Sequence, residues 1–141
     1  MKLNMENQTR RTFLATAATV GAVGLSPAAM ALGQNDKGDK KLVHHVFFWL
    51  KNAGSEADRK KLIEGLNTLR AIEVIKDLRI GIPASTEKRD VVDNSFDVSE
   101  LMYFDNTEDQ ATYQVHPIHQ KFVADYSHLW AKVIVYDMME V

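Results

Sequence analysis

From residue 42 onward the apolar positions of this chain alternate between two periods. Leu42 to Lys51 is a run of β-branched and aromatic residues that predicts a strand, with Val43, His45, Phe47 and Trp49 on one side and His44, Val46, Phe48 and Leu50 on the other. Both sides are apolar, so this strand expects cover on two faces. The period then changes. Ala57, Leu62, Ile63, Leu66 and Leu69 recur at helical spacing with Arg59, Lys60, Glu64, Asn67 and Arg70 opposite, and Ser55 with Asp58 resembles a capping box. These positions predict a helix over 56–71. Lys76 to Ile82 predicts a short second strand ended by Pro83, and the polar, turn-prone stretch 84–95 predicts a loop long enough to serve as a rim or lid.

A third strand is predicted over 96–104, followed by a cap at Asp105-Asn106-Thr107 and a helix to about 115. Pro117 interrupts that helix, because the residue before a proline is pushed out of the α region. Pro117 itself suits the first turn of a new helix with His116 at its cap. That helix reaches 129 or 130, and a fourth strand over 131–139 carries Val133, Ile134, Val135 and Tyr136, apolar on both faces. The order β-α-β-β-α-β predicts the ferredoxin-like α+β fold, an antiparallel sheet with its helices on one face. Because strands one and four are apolar on both sides, the uncovered face expects a partner, most simply the same face of a second copy, which predicts a homodimer.

The first 31 residues read as an address. Thr9-Arg10-Arg11-Thr12-Phe13-Leu14 resembles the twin-arginine signal, 12–32 carry no charge, and Ala29-Met30-Ala31 fits a signal-peptidase site. Residues 1–31 are therefore expected to be a signal peptide read by the twin-arginine translocase, 32–41 a flexible leader, and 42–141 the folded domain of a periplasmic or otherwise exported protein. The segment is rich in Ala, Gly, Thr and Ser and contains Pro27, less apolar than a membrane anchor.

The 141 residues contain no cysteine, which excludes disulfide, thiolate-zinc and thiol chemistry, and a net charge of −2 gives no basic footprint for nucleic acid. Glycine-rich nucleotide loops and serine-hydrolase elbows are absent too. Imidazole and carboxyl chemistry remain. In the helix that starts at Pro117, Ile118, Phe122, Val123, Tyr126, Leu129 and Trp130 form an apolar arc of about 140°, with His119 inside it and His128 outside. His119 near a helix N-terminus on an apolar face is expected to be neutral, as a general base must be; a core histidine held by one hydrogen bond is the bland alternative. His44 and His45 point to opposite faces, and periodicity does not say which one meets His119. The direction of Tyr113 is open, and Glu100, on a face with Phe96, Val98, Met102 and Phe104, is expected to be a partnered or rim carboxylate, with a buried carboxyl of raised pKa as the alternative. His116 and His119 with a strand histidine are the only metal-like spacing, and since His116 caps the helix, no metal is expected.

His45-Val46-Phe47-Phe48-Trp49-Leu50-Lys51, Phe96-Asp97-Val98, Tyr113-x-x-His116-Pro117-x-His119 and Trp130-Ala131-Lys132 leading to Tyr136-Asp137 together resemble the Dabb family, the stress-responsive dimeric α/β-barrel domain. The resemblance spans about 42–139. It implies a ferredoxin-like subunit whose sheet pairs with another to form a dimeric α/β barrel. By similarity to a plant member, olivetolic acid cyclase, it also implies cofactor-free acid/base chemistry, with His119 and Tyr113 as the working pair and His45 as a further cavity histidine. This chain departs from that enzyme at about Gly65, in place of a cavity tyrosine, and in its longer 84–95 loop. What the resemblance implies is therefore an apolar cavity for a small apolar or aromatic ligand with an acid/base pair, of lyase or cyclase type. A non-catalytic binding or stress-protective module and a cofactor-independent monooxygenase are the competing readings.

Overall fold

A computed structural model describes residues 40–141. The expected signal segment and nearly all of the leader lie outside the described residues. Strands β1 (Leu42–Leu50), β2 (Asp77–Gly81), β3 (Val98–Phe104) and β4 (Trp130–Met139) form one sheet in the order β2-β3-β1-β4, with every neighbouring pair antiparallel. Helices α1 (Glu56–Thr68), α2 (Thr107–Gln114) and α3 (Pro117–Tyr126) connect them. Since β3 lies between β1 and β2, this is the split β-α-β arrangement of the ferredoxin-like α+β fold.

The helices start where the sequence places them. Ser55 Oγ accepts from the Asp58 N–H at 3.2 Å, although the Asp58 carboxylate turns to Asn52 Nδ2, so the capping box closes on one side only. Asn106 Oδ1 accepts from the Asp109 N–H at 2.8 Å, and His116 Nδ1 accepts from the Ile118 N–H at 3.1 Å. The two long helical stretches end earlier than their apolar periods suggest, because Leu69–Ala71 and Ser127–Leu129 tighten into 3-10 turns.

One face of the sheet carries the core. His44, Val46, Phe48 and Leu50 of β1 and Val98, Glu100, Met102 and Phe104 of β3 are buried there beneath Leu62, Leu66, Leu69, Tyr113 and Phe122. α1 and α3 meet closely at Gly65, where a Cβ would lie 2.7 Å from the Tyr126 ring. An aromatic ring thus covers position 65, supplied by α3 rather than α1.

Among the described residues, no helix lies over the opposite face. The Phe47 ring lies 4.1 Å from that of His45 and meets Phe96 and Tyr136 edge-on, while Tyr136 and Met138 are 64% and 55% exposed. Segment 82–97 ends on this side: Trp49 Nε1 donates to Ser95 Oγ at 3.0 Å, and Asp93 and Phe96 border a shallow apolar hollow with Phe47, Trp49, Ile134 and Tyr136. The loop expected as a lid therefore borders the open sheet face.

Asp97, part of the Phe96-Asp97-Val98 element, accepts from the N–H groups of Leu50 at 2.8 Å and Gly54 at 3.1 Å, tying β3 to the β1–α1 corner. Gly54 takes a φ of 76°, the left-handed region that glycine enters without strain. Asp97→Ala leaves a buried donor without its acceptor and is expected to cost about 1–3 kcal/mol, measurable as a lowered urea midpoint.

Candidate active site

A cleft of about 180 Å3 opens on the helix side between α3 and β4, with Val123, Val133 and Val135 at its mouth and Val46, Phe48, Phe122 and Trp130 as apolar walls. That volume slightly exceeds the ~150 Å3 of a cavity that holds benzene. Its polar lining is His44, Glu100, Tyr113, Gln114 and His119, and four of these carry titratable side chains: His44, Glu100, Tyr113 and His119.

His119 is the third residue of α3 and is half-buried. Its Nδ1 lies 3.0 Å from the Gln114 carbonyl oxygen. A carbonyl only accepts, so Nδ1 carries the proton and Nε2 keeps the lone pair. Desolvation lowers the affinity of this ring for a second proton, and the nearby His44 and His116 lower it further against the hydrogen bond to Gln114. His119 is accordingly a neutral imidazole with one basic nitrogen.

Tyr113 is the buried residue of α2, 1% exposed, with its ring 4.5 Å from that of His119 and 5.7 Å from that of His44. Its hydroxyl makes no hydrogen bond among the described residues. Burial, then the Glu100 carboxyl, pushes the phenol well above its ordinary range, which keeps it a donor.

Of the strand histidines, His44 and not His45 enters the cleft. Its Nδ1 donates to the Asp137 carboxylate at 2.5 Å, across the β1–β4 ladder where the two residues stand opposite each other. The ring is thereby oriented, and its other nitrogen has no hydrogen-bond partner among the described residues. His45 packs on Phe47 on the far face, where burial and then His44 lower its proton affinity. The reason is the two-residue period of the strand: only even-numbered β1 positions share the side of Met102 and Glu100. Of the three residues implied by resemblance, the fold brings Tyr113 and His119 together and keeps His45 apart.

Glu100 also departs from expectation. It is 2% exposed and Oε2 has no partner among the described residues. It stands in the middle of β3, flanked by Val46 and Ile80, so its side chain has no route to the rim. Burial raises the carboxyl to about 8, so it is protonated at neutral pH. Sequence reasoning missed the role of Asp137 entirely; its position opposite a strand histidine is visible only once the register is known.

His116 spends Nδ1 on the α3 cap, and among the described residues no three His, Cys, Asp or Glu side chains gather as metal ligands. His128 is exposed.

In comparison with known proteins, a Dabb family protein with a ferredoxin-like fold from Mesorhizobium loti is 22% identical, with a TM-score of 0.59 over 72% of this chain and 98% of that one. Hydroxynitrile lyase from Passiflora edulis is 18% identical, with a TM-score of 0.60 over 72% and 94% of the two chains. A dimeric ferredoxin-like protein of unknown function from Thermobifida fusca is 18% identical, with a TM-score of 0.56 over 70% and 90%. At these identities the likeness is one of fold. No curated protein matches the chain in sequence. The Stress responsive A/B Barrel Domain matches residues 42–140, which takes in the whole sheet, the three helices and the cleft between them, and the chain therefore belongs to the Dabb family.

Proposed function

We propose that this protein is an exported, homodimeric Dabb subunit whose cleft takes a small organic ligand and carries out cofactor-free acid/base chemistry of lyase or cyclase type. The observation that carries the reading is the hydrogen bond from His119 to the Gln114 carbonyl, which leaves a neutral, basic Nε2 on a ring beside a buried phenol. In this reading His119 takes a proton from the substrate, Tyr113 donates a hydrogen bond to the oxygen that gains charge, and His44, held by Asp137, lines the same wall. His45 has no part in it.

The test is turnover on small aromatic cyanohydrins, aldehydes and linear polyketide analogues by the wild type, His119→Ala and Tyr113→Phe. Loss of rate in both variants supports the reading. Unchanged rates, or ligand binding without turnover, would reduce the cleft to a binding module.

Two further parts of the proposal have their own measurements. The uncovered sheet face, with exposed Tyr136 and Met138, supports self-association through that face. Light scattering is expected to give twice the subunit mass at micromolar concentration, and a clean monomer would count against the pairing. Export rests on the sequence before residue 32. The exported product is expected to begin after Ala31, which N-terminal sequencing reads directly.

A further inference from the structure

The acid/base reading leaves Glu100 without a role. Its carboxyl lines the cleft from the middle of β3, almost wholly buried, with one oxygen lacking any hydrogen-bond partner among the described residues. A polar atom in that position is costly unless something that enters the cleft satisfies it. The remaining surroundings narrow what that is. The titratable groups that share the cleft are His44 from β1, Tyr113 from α2 and His119 from α3; β2 brings Ile80, β4 brings Val133 and Val135, and α1 brings Leu62 and Leu66 to the core. Among the described residues, no lysine or arginine lines the cleft.

We propose that Glu100 selects the ligand: it acts as a carboxylic acid at the floor of the cleft that donates a hydrogen bond to an uncharged oxygen acceptor, a carbonyl or carboxamide, on a molecule of about one aromatic ring. This rests on the cleft being a ligand site, as read above, but not on His119 acting as a base. An anionic ligand would meet no cation and would place its charge against the same carboxyl. Burial of the carboxyl favours its protonated form, which agrees with a donor role at neutral pH.

The test measures binding of benzamide, benzoate and benzylamine to the full chain at pH 6 and pH 9, in the wild type, Glu100→Gln and Glu100→Leu. Benzamide is expected to bind the wild type at pH 6 about tenfold or more tightly than benzoate does, and to weaken by a similar factor at pH 9. Glu100→Gln, whose amide still donates, is expected to hold benzamide equally at both pH values, and Glu100→Leu to bind it weakly at both. Equal benzamide affinity in the wild type and Glu100→Leu, a preference for benzylamine at pH 6, or no benzamide binding at all would overturn the assignment. The wild-type comparison of the two pH values requires no variant to fold. Because binding is read without turnover, a failed acid/base reading and a failed assignment of Glu100 give different results.

Discussion

His119→Ala is expected to lower turnover by about 10²–10⁴-fold, the usual contribution of a positioned general base. Its Nδ1 is committed to the Gln114 carbonyl, so no other tautomer competes, and the ring needs no proton loss to act at neutral pH. The pH profile carries the sign. A base works only when unprotonated, so activity rises as pH climbs through the pKa of His119, and desolvation sets that pKa below its ordinary value of 6.5. The acidic limb of kcat/KM is therefore expected below pH 6.5, and it should disappear from the residual activity of His119→Ala. An acidic limb above pH 7, or one that survives the substitution, would assign the base elsewhere.

Glu100 is expected to make the folded state lose stability as pH rises. The folded protein holds its proton up to about pH 8, whereas the unfolded chain releases it near the ordinary carboxyl value of 4.5. Between those limits the folded state binds more protons than the unfolded one. The stabilisation is complete below the unfolded pKa and is lost as pH climbs through the folded pKa, at a slope of about 1 kcal/mol or more per pH unit at its steepest. Glu100→Gln removes this dependence. Urea unfolding of the two proteins at pH 5, 7 and 9 is expected to show midpoints that diverge as pH rises, with the variant ahead at pH 9. Parallel midpoints would mean that the carboxyl is not buried in solution.

The order of elements was legible because each transition carries its own chemistry: the period switches between strands and helices, and Ser55, Asn106 and Pro117 mark the helix starts. The inward direction of His119 followed from its place on the α3 arc. His44 and His45 could not be told apart, because a strand's period separates two faces without naming the one that helices cover. That choice becomes readable only through β3, whose even positions pack the core and stand opposite the even positions of β1. Tyr113 was unreadable because α2 is eight residues long with one buried position, too little for an apolar arc. Glu100 was misread since a carboxylate among apolar neighbours ordinarily finds a partner or reaches the rim, and here the central place of β3 keeps it from the rim while no group of the described residues reaches Oε2.

The placement of segment 82–97 separates two properties that a single loop often joins. Its far end braces Trp49 and lies against the uncovered side of the sheet, while every wall of the cleft comes from elsewhere. In the proposed pairing, relatives that lengthen or trim this stretch would alter how firmly two copies hold one another while leaving the repertoire of accepted molecules intact, so assembly and ligand choice are free to evolve independently.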